Sequence, residues 1–235
     1  MNYILILLIS LTFLACNTQD SDEIKDQTEI YAHYNVKINK GSSKAVGEVV
    51  FYEKSNKYFK DYVALRGSSY VSYQGNRMQE IIDFGNTSYK NNHLSTRTIQ
   101  TSDVFEFEYV NNDGKIFVNR LSAPSFLAID YSTIKVSYTD TTTEIAFDWD
   151  FLDQNKCFNQ PGKCSGVNFR VYAEINGTQS FRTVDIRKKP AQIIFDNSID
   201  YIKEITLCTS LTQQAVGAGT SNKKTTTYCD EQYSL

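Results

Sequence analysis

The chain has 235 residues, a formal net charge of −3, 16 tyrosines and 14 phenylalanines. That charge balance does not favour nucleic acid as a partner, because nucleic-acid binding usually requires a clustered basic face. Tyrosine and phenylalanine suit half-buried strands, so the composition favours an all-β fold over a helical one.

The chain begins with an uncharged, predominantly apolar run over residues 3–15. As a helix this run would be about 20 Å long, which is short of the ~30 Å hydrocarbon core of a bilayer. A brief apolar run that ends in a small residue before a polar segment is typical of a cleaved export signal. Cys16 stands at the expected cleavage point, directly after Ala15.

The stretch Phe13-Leu14-Ala15-Cys16 resembles the lipobox of bacterial lipoprotein precursors. The resemblance implies diacylglycerol on the Cys16 sulfur, cleavage after Ala15 and fatty acylation, typically with palmitate, of the new amino terminus. Asn17 follows the cysteine where an aspartate would favour inner-membrane retention, so the resemblance favours the outer membrane. The alternative is an ordinary secretory signal in which Cys16 happens to follow Ala15.

After the cysteine, residues 16–27 are polar and acidic and lack an apolar period, which predicts a flexible stalk. An N-terminal β-sandwich is predicted over residues 28–122, where short strands recur about every ten residues. In its first strand Ala32, Tyr34, Val36 and Ile38 fall on one face, and polar residues fall on the other. A hairpin is predicted between residues 104–110 and 116–121 across the turn at 111–114.

Pro124 indicates a domain junction near residues 121–127, and a C-terminal β-sandwich is predicted over residues 123–235. The alternation of Ile145, Phe147, Trp149 and Phe151 predicts that these four side chains face a second core. Seven strands fit an immunoglobulin-like or fibronectin-like sandwich. The predicted fold is therefore two antiparallel β-sandwich domains after a signal peptide and stalk. This layout loosely resembles that of uncharacterised Gram-negative lipoproteins, a likeness that implies no function.

Four cysteines besides Cys16 lie in the predicted C-terminal domain, namely Cys157, Cys164, Cys208 and Cys229. An even number of cysteines outside the cytoplasm predicts two disulfides. Their separations are too wide for the paired ligands of a structural zinc site. We predict that Cys157 pairs with Cys164 and that Cys208 pairs with Cys229, with the rival pairings left open.

Catalytic and cofactor motifs are absent from the sequence. The chain contains neither Gly-x-Ser-x-Gly, His-Glu-x-x-His nor a P-loop, and no catalytic residue or cofactor is predicted. The two histidines, His33 and His93, are predicted to be exposed and without a catalytic partner.

Acidic and aromatic clusters offer two further binding hypotheses. Two carboxylates on one strand face with a nearby loop oxygen could hold calcium, and the candidates are Asp148, Asp150 and Asp153. The simpler interpretation is that these aspartates point to water between inward aromatics. Aromatic platforms for a sugar or partner could form from Tyr70 with Tyr73, or from Tyr52 with Tyr58 and Tyr62, although rings buried within the sheets are the simpler interpretation.

Together these observations predict a lipid-anchored protein of the bacterial cell envelope that acts as a binding or structural module. Its expected partners are the membrane, through the lipid on Cys16, and an unknown envelope protein or glycan. An enzyme acting on glycans and an accessory or chaperone of an envelope assembly are the alternatives. A pocket with two convergent acids would favour the enzyme, and a tyrosine-rich patch or unpaired sheet edge would favour the binding module.

Overall fold

The computed structural model describes residues 18–39, 41–53, 61–83, 86–100, 102–124, 127–151, 168–175, 178–184, 190–196, 202–217, 222–229 and 233–234. Over these ranges the chain is built almost entirely of β-strands, which confirms the all-β prediction. A short 3-10 helix, Gln27–Glu29, begins where the Asp26 carboxylate accepts the N–H of Thr28. Within the described ranges, no helix has the length and apolar character of a membrane span.

The strands are numbered in chain order. They are β1 (Thr18–Asp20), β2 (Ile30–Asn39), β3 (Lys44–Glu53), β4 (Asp61–Ala64), β5 (Tyr70–Tyr73), β6 (Asn76–Arg77), β7 (Gln79–Asp83), β8 (Asn86–Leu94), β9 (Val104–Val110), β10 (Ile116–Ser122), β11 (Leu127–Tyr138), β12 (Thr142–Phe151), β13 (Asn168–Ile175), β14 (Thr178–Val184), β15 (Ala191–Asp196), β16 (Ile202–Gln214), β17 (Lys223–Cys229) and β18 (Tyr233–Ser234).

Three sheets contain these strands. The largest has 11 strands, eight of them in the order β1-β4-β3-β2-β17-β16-β13-β14, with β8 joined to β3, β7 to β8 and β18 to β16. A four-stranded sheet has the order β10-β9-β5-β6, and a three-stranded sheet has the order β11-β12-β15. The predicted hairpin is confirmed, since β9 and β10 pair in antiparallel register from Val104 opposite Ser122 to Val110 opposite Ile116.

Two strand pairs differ from the purely antiparallel arrangement that the sequence predicts. β1 lies parallel to β4, and β17 lies parallel to β2. Parallel neighbours need a crossover rather than a tight turn, so they connect segments that are distant in the chain. Alternation within one strand gives no information about such partners.

The main core lies between the large sheet and the four-stranded sheet. The predicted inward face of β2 is confirmed, since Ala32, Tyr34, Val36 and Ile38 are each at most 2% exposed. The ring of Tyr34 meets that of Phe107 from β9 at 5.3 Å between centroids. Aromatic contacts of this kind add to the hydrophobic burial that holds the two sheets together.

A second set of buried side chains comes from the three-stranded sheet. Ile145, Phe147 and Trp149 of β12 are buried as predicted, together with Ile193 and Phe195 of β15. The side chain of Phe151, the fourth member of the predicted face, lies outside the described residues. For these three residues, the alternation of apolar and polar positions therefore predicted the inward face of β12 correctly.

The large sheet includes strands from both sides of the predicted domain boundary after residue 122. β17 pairs with β2, and Tyr228 of β17 belongs to the main core with an exposure of 2%. Ala215, the residue directly after β16, belongs to the same core. Main-chain hydrogen bonding is therefore continuous between the two predicted domains.

Two buried asparagines reinforce this connection. The Asn119 side chain of β10 donates to the carbonyl of Val216 at 2.9 Å and accepts the Val216 N–H at 2.6 Å. The Asn222 amide oxygen accepts the N–H of Ala32 at 2.8 Å. Both asparagines are at most 2% exposed, and these main-chain groups supply the hydrogen bonds that their buried amides need.

Residues 18–27, assigned by the sequence to a flexible stalk, are part of the folded body. The N–H of Ser21 donates to the carbonyl of Ala64 at 2.8 Å, which continues the pairing of β1 with β4. Ser21 is fully buried and Ile24 is 4% exposed. The stalk prediction does not hold for these residues, because polar contacts rather than an apolar face order them.

Those polar contacts join the segment to distant residues and also close it internally. The Ser21 hydroxyl accepts the N–H of Arg66 at 2.8 Å and the Asn112 amide at 3.2 Å. The Gln27 amide donates to the carbonyls of Ser21 and Ile24, both at 2.7 Å. Asn112 thus anchors the N-terminal segment as well as occupying the predicted β9–β10 turn.

Candidate functional site

Several predicted site residues lie outside the described part of the chain, namely Cys16, Cys157, Cys164, Asp153 and the side chains of Asp150 and Cys208. Asp148 is exposed on β12, opposite Asp130 of β11 in the ladder. Among the described residues, no three His, Cys, Asp or Glu side chains come together as a metal site. The calcium hypothesis for Asp148, Asp150 and Asp153 therefore stays a prediction.

The C-terminal cysteine pair can be followed through the backbone. Cys229 is disulfide-bonded, and Cys208 faces it across the β16–β17 ladder. Facing residues in an antiparallel pair have Cα atoms about 4.5 to 5.5 Å apart, within the range that a disulfide spans. The register thus supports the predicted partner.

We expect mass analysis of non-reduced proteolytic peptides to recover the Cys208 peptide linked to the Cys229 peptide. The physical reason is the register, which places these two residues opposite each other. A reduced sample of the same digest is the control and should release both peptides. Recovery of Cys229 linked to Cys157 or Cys164 would contradict the pairing.

The first described aromatic cluster lies on the outer face of the large sheet. Tyr31 stacks on Tyr52 at 5.2 Å between ring centroids, and Tyr52 meets Tyr62 at 5.1 Å. His33 contacts Tyr52 at 5.0 Å, so it is half-buried among rings rather than exposed as predicted. Burial, followed by the neighbouring Tyr62 and Tyr31, raises the pKa of Tyr52 to about 12, and the phenol is neutral at physiological pH.

These tyrosines occupy successive positions across the sheet. Tyr31 pairs with Tyr52, Tyr52 pairs with Tyr62, and Tyr62 pairs with Thr18 of β1. We call Tyr31, Tyr52 and Tyr62 the tyrosine row. The row ends at the sheet edge formed by the first described strand, two residues after Cys16.

Two tyrosine platforms were predicted from the sequence, and the structure brings together residues of only one of them. Tyr52 and Tyr62 do come together, although Tyr58 lies outside the described residues. Tyr70 and Tyr73 do not form a joint surface. Tyr73 is 1% exposed and packs on Phe107 at 4.7 Å, whereas Tyr70 is half-buried and its hydroxyl donates to Glu108 at 3.2 Å.

An open groove of about 490 Å³ lies beside the β5–β6 turn. It is lined by Gln74, Gly75, His93, Val104, Glu106 and Arg120. Both turn residues have positive φ, 50° for Gln74 and 76° for Gly75, the conformation that a tight two-residue hairpin turn requires. The turn is fixed to β9, because the Gln74 N–H donates to the Glu106 carbonyl and the Gln74 side chain accepts the Glu106 N–H.

Two oppositely charged side chains line the groove and form an ion pair. The Arg120 guanidinium meets the Glu106 carboxylate at 2.7 Å. His93, which the sequence predicted to be exposed, lies on β8 and is half-buried, with edge contacts to the rings of Tyr73 and Phe105. These groups offer both donors and an acceptor, which suits a ligand rich in polar groups.

Comparison with known proteins does not assign the chain to a family. No protein-family model and no curated protein matches the chain. Among solved structures, it is similar to a chain from a 1.5-MDa bacterial ice-binding adhesin, described for host cell surface retention, with 13% identity and a TM-score of 0.23. The alignment covers 89% of this chain and 65% of that one. A likeness at this level carries no argument about function.

Proposed function

We propose that the protein is a lipid-anchored component of the bacterial cell envelope, favoured at the outer membrane, that acts by binding rather than by catalysis. Its anchor is the lipid that the lipobox resemblance implies on Cys16. The observation that supports the proposal most is the position of Thr18, which already pairs with Tyr62 in the large sheet two residues after that cysteine.

A short connection suits an anchor that holds a folded domain at a bilayer. Each buried methylene of an acyl chain is worth about 0.8 kcal/mol, so two or three chains hold the protein stably where one would be marginal. The Ser21 and Gln27 contacts fix the segment after Cys16 to the body. The lipid would therefore restrain the position of the whole domain as well as its distance from the membrane.

The polar groove is the surface proposed for ligand binding. Glycoside hydrolysis usually needs two carboxyl groups on either side of the scissile bond. Among the described residues that line the groove, Glu106 is the one carboxylate, and it is paired with Arg120. This lining fits recognition of a polar ligand, such as a glycan, better than acid–base cleavage of one.

We expect Cys16→Ala to abolish incorporation of labelled palmitate and to move the protein out of the outer-membrane fraction. The reason is that no other cysteine follows the apolar run closely enough to be acylated in its place. The measurement is labelling of cells that produce the tagged protein, followed by membrane fractionation.

Ser10→Ala is the matched control for this experiment, because it changes the apolar run without changing the residues that resemble the lipobox. It should be labelled like the parent chain. Unchanged palmitate incorporation into the Cys16→Ala protein would contradict the anchor. Labelled protein recovered in the inner membrane would contradict the proposed location only.

A further inference from the structure

We infer that the edge of the large sheet bearing the tyrosine row rests against the zwitterionic headgroups of the bilayer. This inference rests on the proposed function, since it assumes a lipid on Cys16. It goes further by assigning the face of the domain that touches the membrane.

The length of chain between anchor and fold restricts the geometry. Cys16 precedes Thr18 by two residues, which span at most about 7 Å even when fully extended. Thr18 is paired with Tyr62, so the lipid attachment point is confined to the neighbourhood of this sheet edge. No other described part of the molecule is tied so closely to Cys16 by the covalent chain.

The tyrosine row has the chemistry of a membrane interface. Tyrosine combines an apolar ring with a polar hydroxyl and is enriched where proteins meet lipid headgroups. Tyr52 and Tyr62 are half-buried on the outer face, while Phe51, the neighbour of Tyr52, is fully buried on the core face. Partial exposure suits contact at headgroup depth rather than insertion into the hydrocarbon.

Charge at the same end of the strands indicates which headgroups fit. Glu53 follows Tyr52, lies opposite Asp61 and is close enough to Glu29 to interact with its charge. Burial and these two carboxylates raise the pKa of Glu53. The sequence between Glu53 and Asp61 also carries lysines at positions 54, 57 and 60, so this part of the chain has charges of both signs. Charges of both signs match zwitterionic headgroups, which also carry both, better than headgroups of one sign.

The test attaches residues 16–235, which include every described residue, to phosphatidylcholine vesicles through a maleimide lipid on Cys16. Peptide mass analysis confirms the site of attachment. Tyr52→Trp and Tyr62→Trp each introduce a fluorophore at the row, and Tyr138→Trp, at a position 57% exposed on β11, is the matched control. Brominated phosphatidylcholine quenches tryptophan that lies near the bilayer.

We expect quenching at position 62 or 52 to be at least twofold greater than at position 138. The native Trp149 is 5% exposed, and its signal in the parent chain is subtracted as background. Vesicles enriched in phosphatidylglycerol should give no more quenching at the row than phosphatidylcholine vesicles. Equal quenching at positions 62, 52 and 138 would overturn the assigned face, and greater quenching on anionic vesicles would overturn the assigned headgroup.

Hydroxyl-radical footprinting of the unsubstituted chain provides a readout that requires no mutation. Attachment should protect the peptides containing Tyr52 and Tyr62 and leave the Tyr138 peptide unchanged. Protection that appears only with dimerisation on the vesicle would assign the row to a second copy and overturn the inference. Because attachment is chemical, these results do not depend on acylation in cells, which the palmitate experiment tests separately.

Discussion

Asn119→Leu is expected to lower the free energy of unfolding by about 3 kcal/mol, the largest effect that we predict for a single substitution. The Asn119 side chain is fully buried, forms two hydrogen bonds with the main chain of Val216 and is hydrogen-bonded to the Tyr34 hydroxyl. Leucine has the same branched skeleton but two bulkier methyl groups that cannot form hydrogen bonds, so the Val216 groups and the Tyr34 hydroxyl lose these partners. Chemical denaturation of the purified protein measures the change.

Asn92→Leu on β8 is the matched control, because Asn92 is exposed. It should change the free energy of unfolding by less than about 0.5 kcal/mol, as is usual for surface substitutions. If Asn119→Leu were equally mild, the buried amide would not be a major link between β10 and the segment after β16. The slope of the denaturation curve should be checked in both variants, since it reports whether unfolding remains cooperative.

Gly47→Ala is expected to lower the free energy of unfolding by about 2 kcal/mol. A Cβ at Gly47 would lie 2.8 Å from two ring atoms of Tyr73, closer than packed carbon atoms approach. Tyr73 cannot move freely, because it is 1% exposed and packs on Phe107. Thermal and chemical unfolding of the variant measure the effect.

A double-mutant cycle separates this clash from the conformational preference of glycine. In a Tyr73→Leu background the ring is gone, and alanine should be neutral or stabilising, since glycine within a strand is unfavourable by roughly 0.5 to 1 kcal/mol. The expected result is a loss of stability in the parent background and no loss in the Tyr73→Leu background. A similar loss of stability in both backgrounds would mean that the Tyr73 ring is not what makes glycine necessary.

The local features of the fold could be predicted from the sequence. Alternation identified the inward faces of β2 and β12, and the Asn-Asp-Gly turn identified the β9–β10 hairpin. These predictions depend on side chains near one another in the chain. They succeed because a strand with one buried face must repeat with a period of two.

Long-range partners could not be predicted in the same way. Ile116 and Val118 are apolar yet partly exposed, whereas Asn119 is fully buried because Val216, 97 residues away, pairs with it. The acidic segment after Cys16 has almost no apolar surface, but Ser21 finds partners in Arg66 and Asn112. Composition predicts how a segment behaves in isolation. It gives no information about hydrogen bonds that the segment forms with distant parts of the chain.

The candidate site was only partly visible in the sequence. Tyr52 and Tyr62 were recognised as potential partners, and the structure places them in contact. The groove was missed, because its lining comes from four separate strands or turns, with His93 on β8 and Arg120 on β10. Residues that only folding brings together leave no short motif in the sequence.

The pairing of β2 with β17 has a consequence for the order of folding. Ala32 and its partner Asn222 are 190 residues apart, so β2 has an unpaired edge until nearly the whole described chain has been synthesised. Contacts of such high sequence separation slow folding and expose nascent strands to misassembly. A polypeptide that stops short of β17 would leave the edge of β2 free to pair with another chain and aggregate. Addition of β17 is therefore the step that protects this edge.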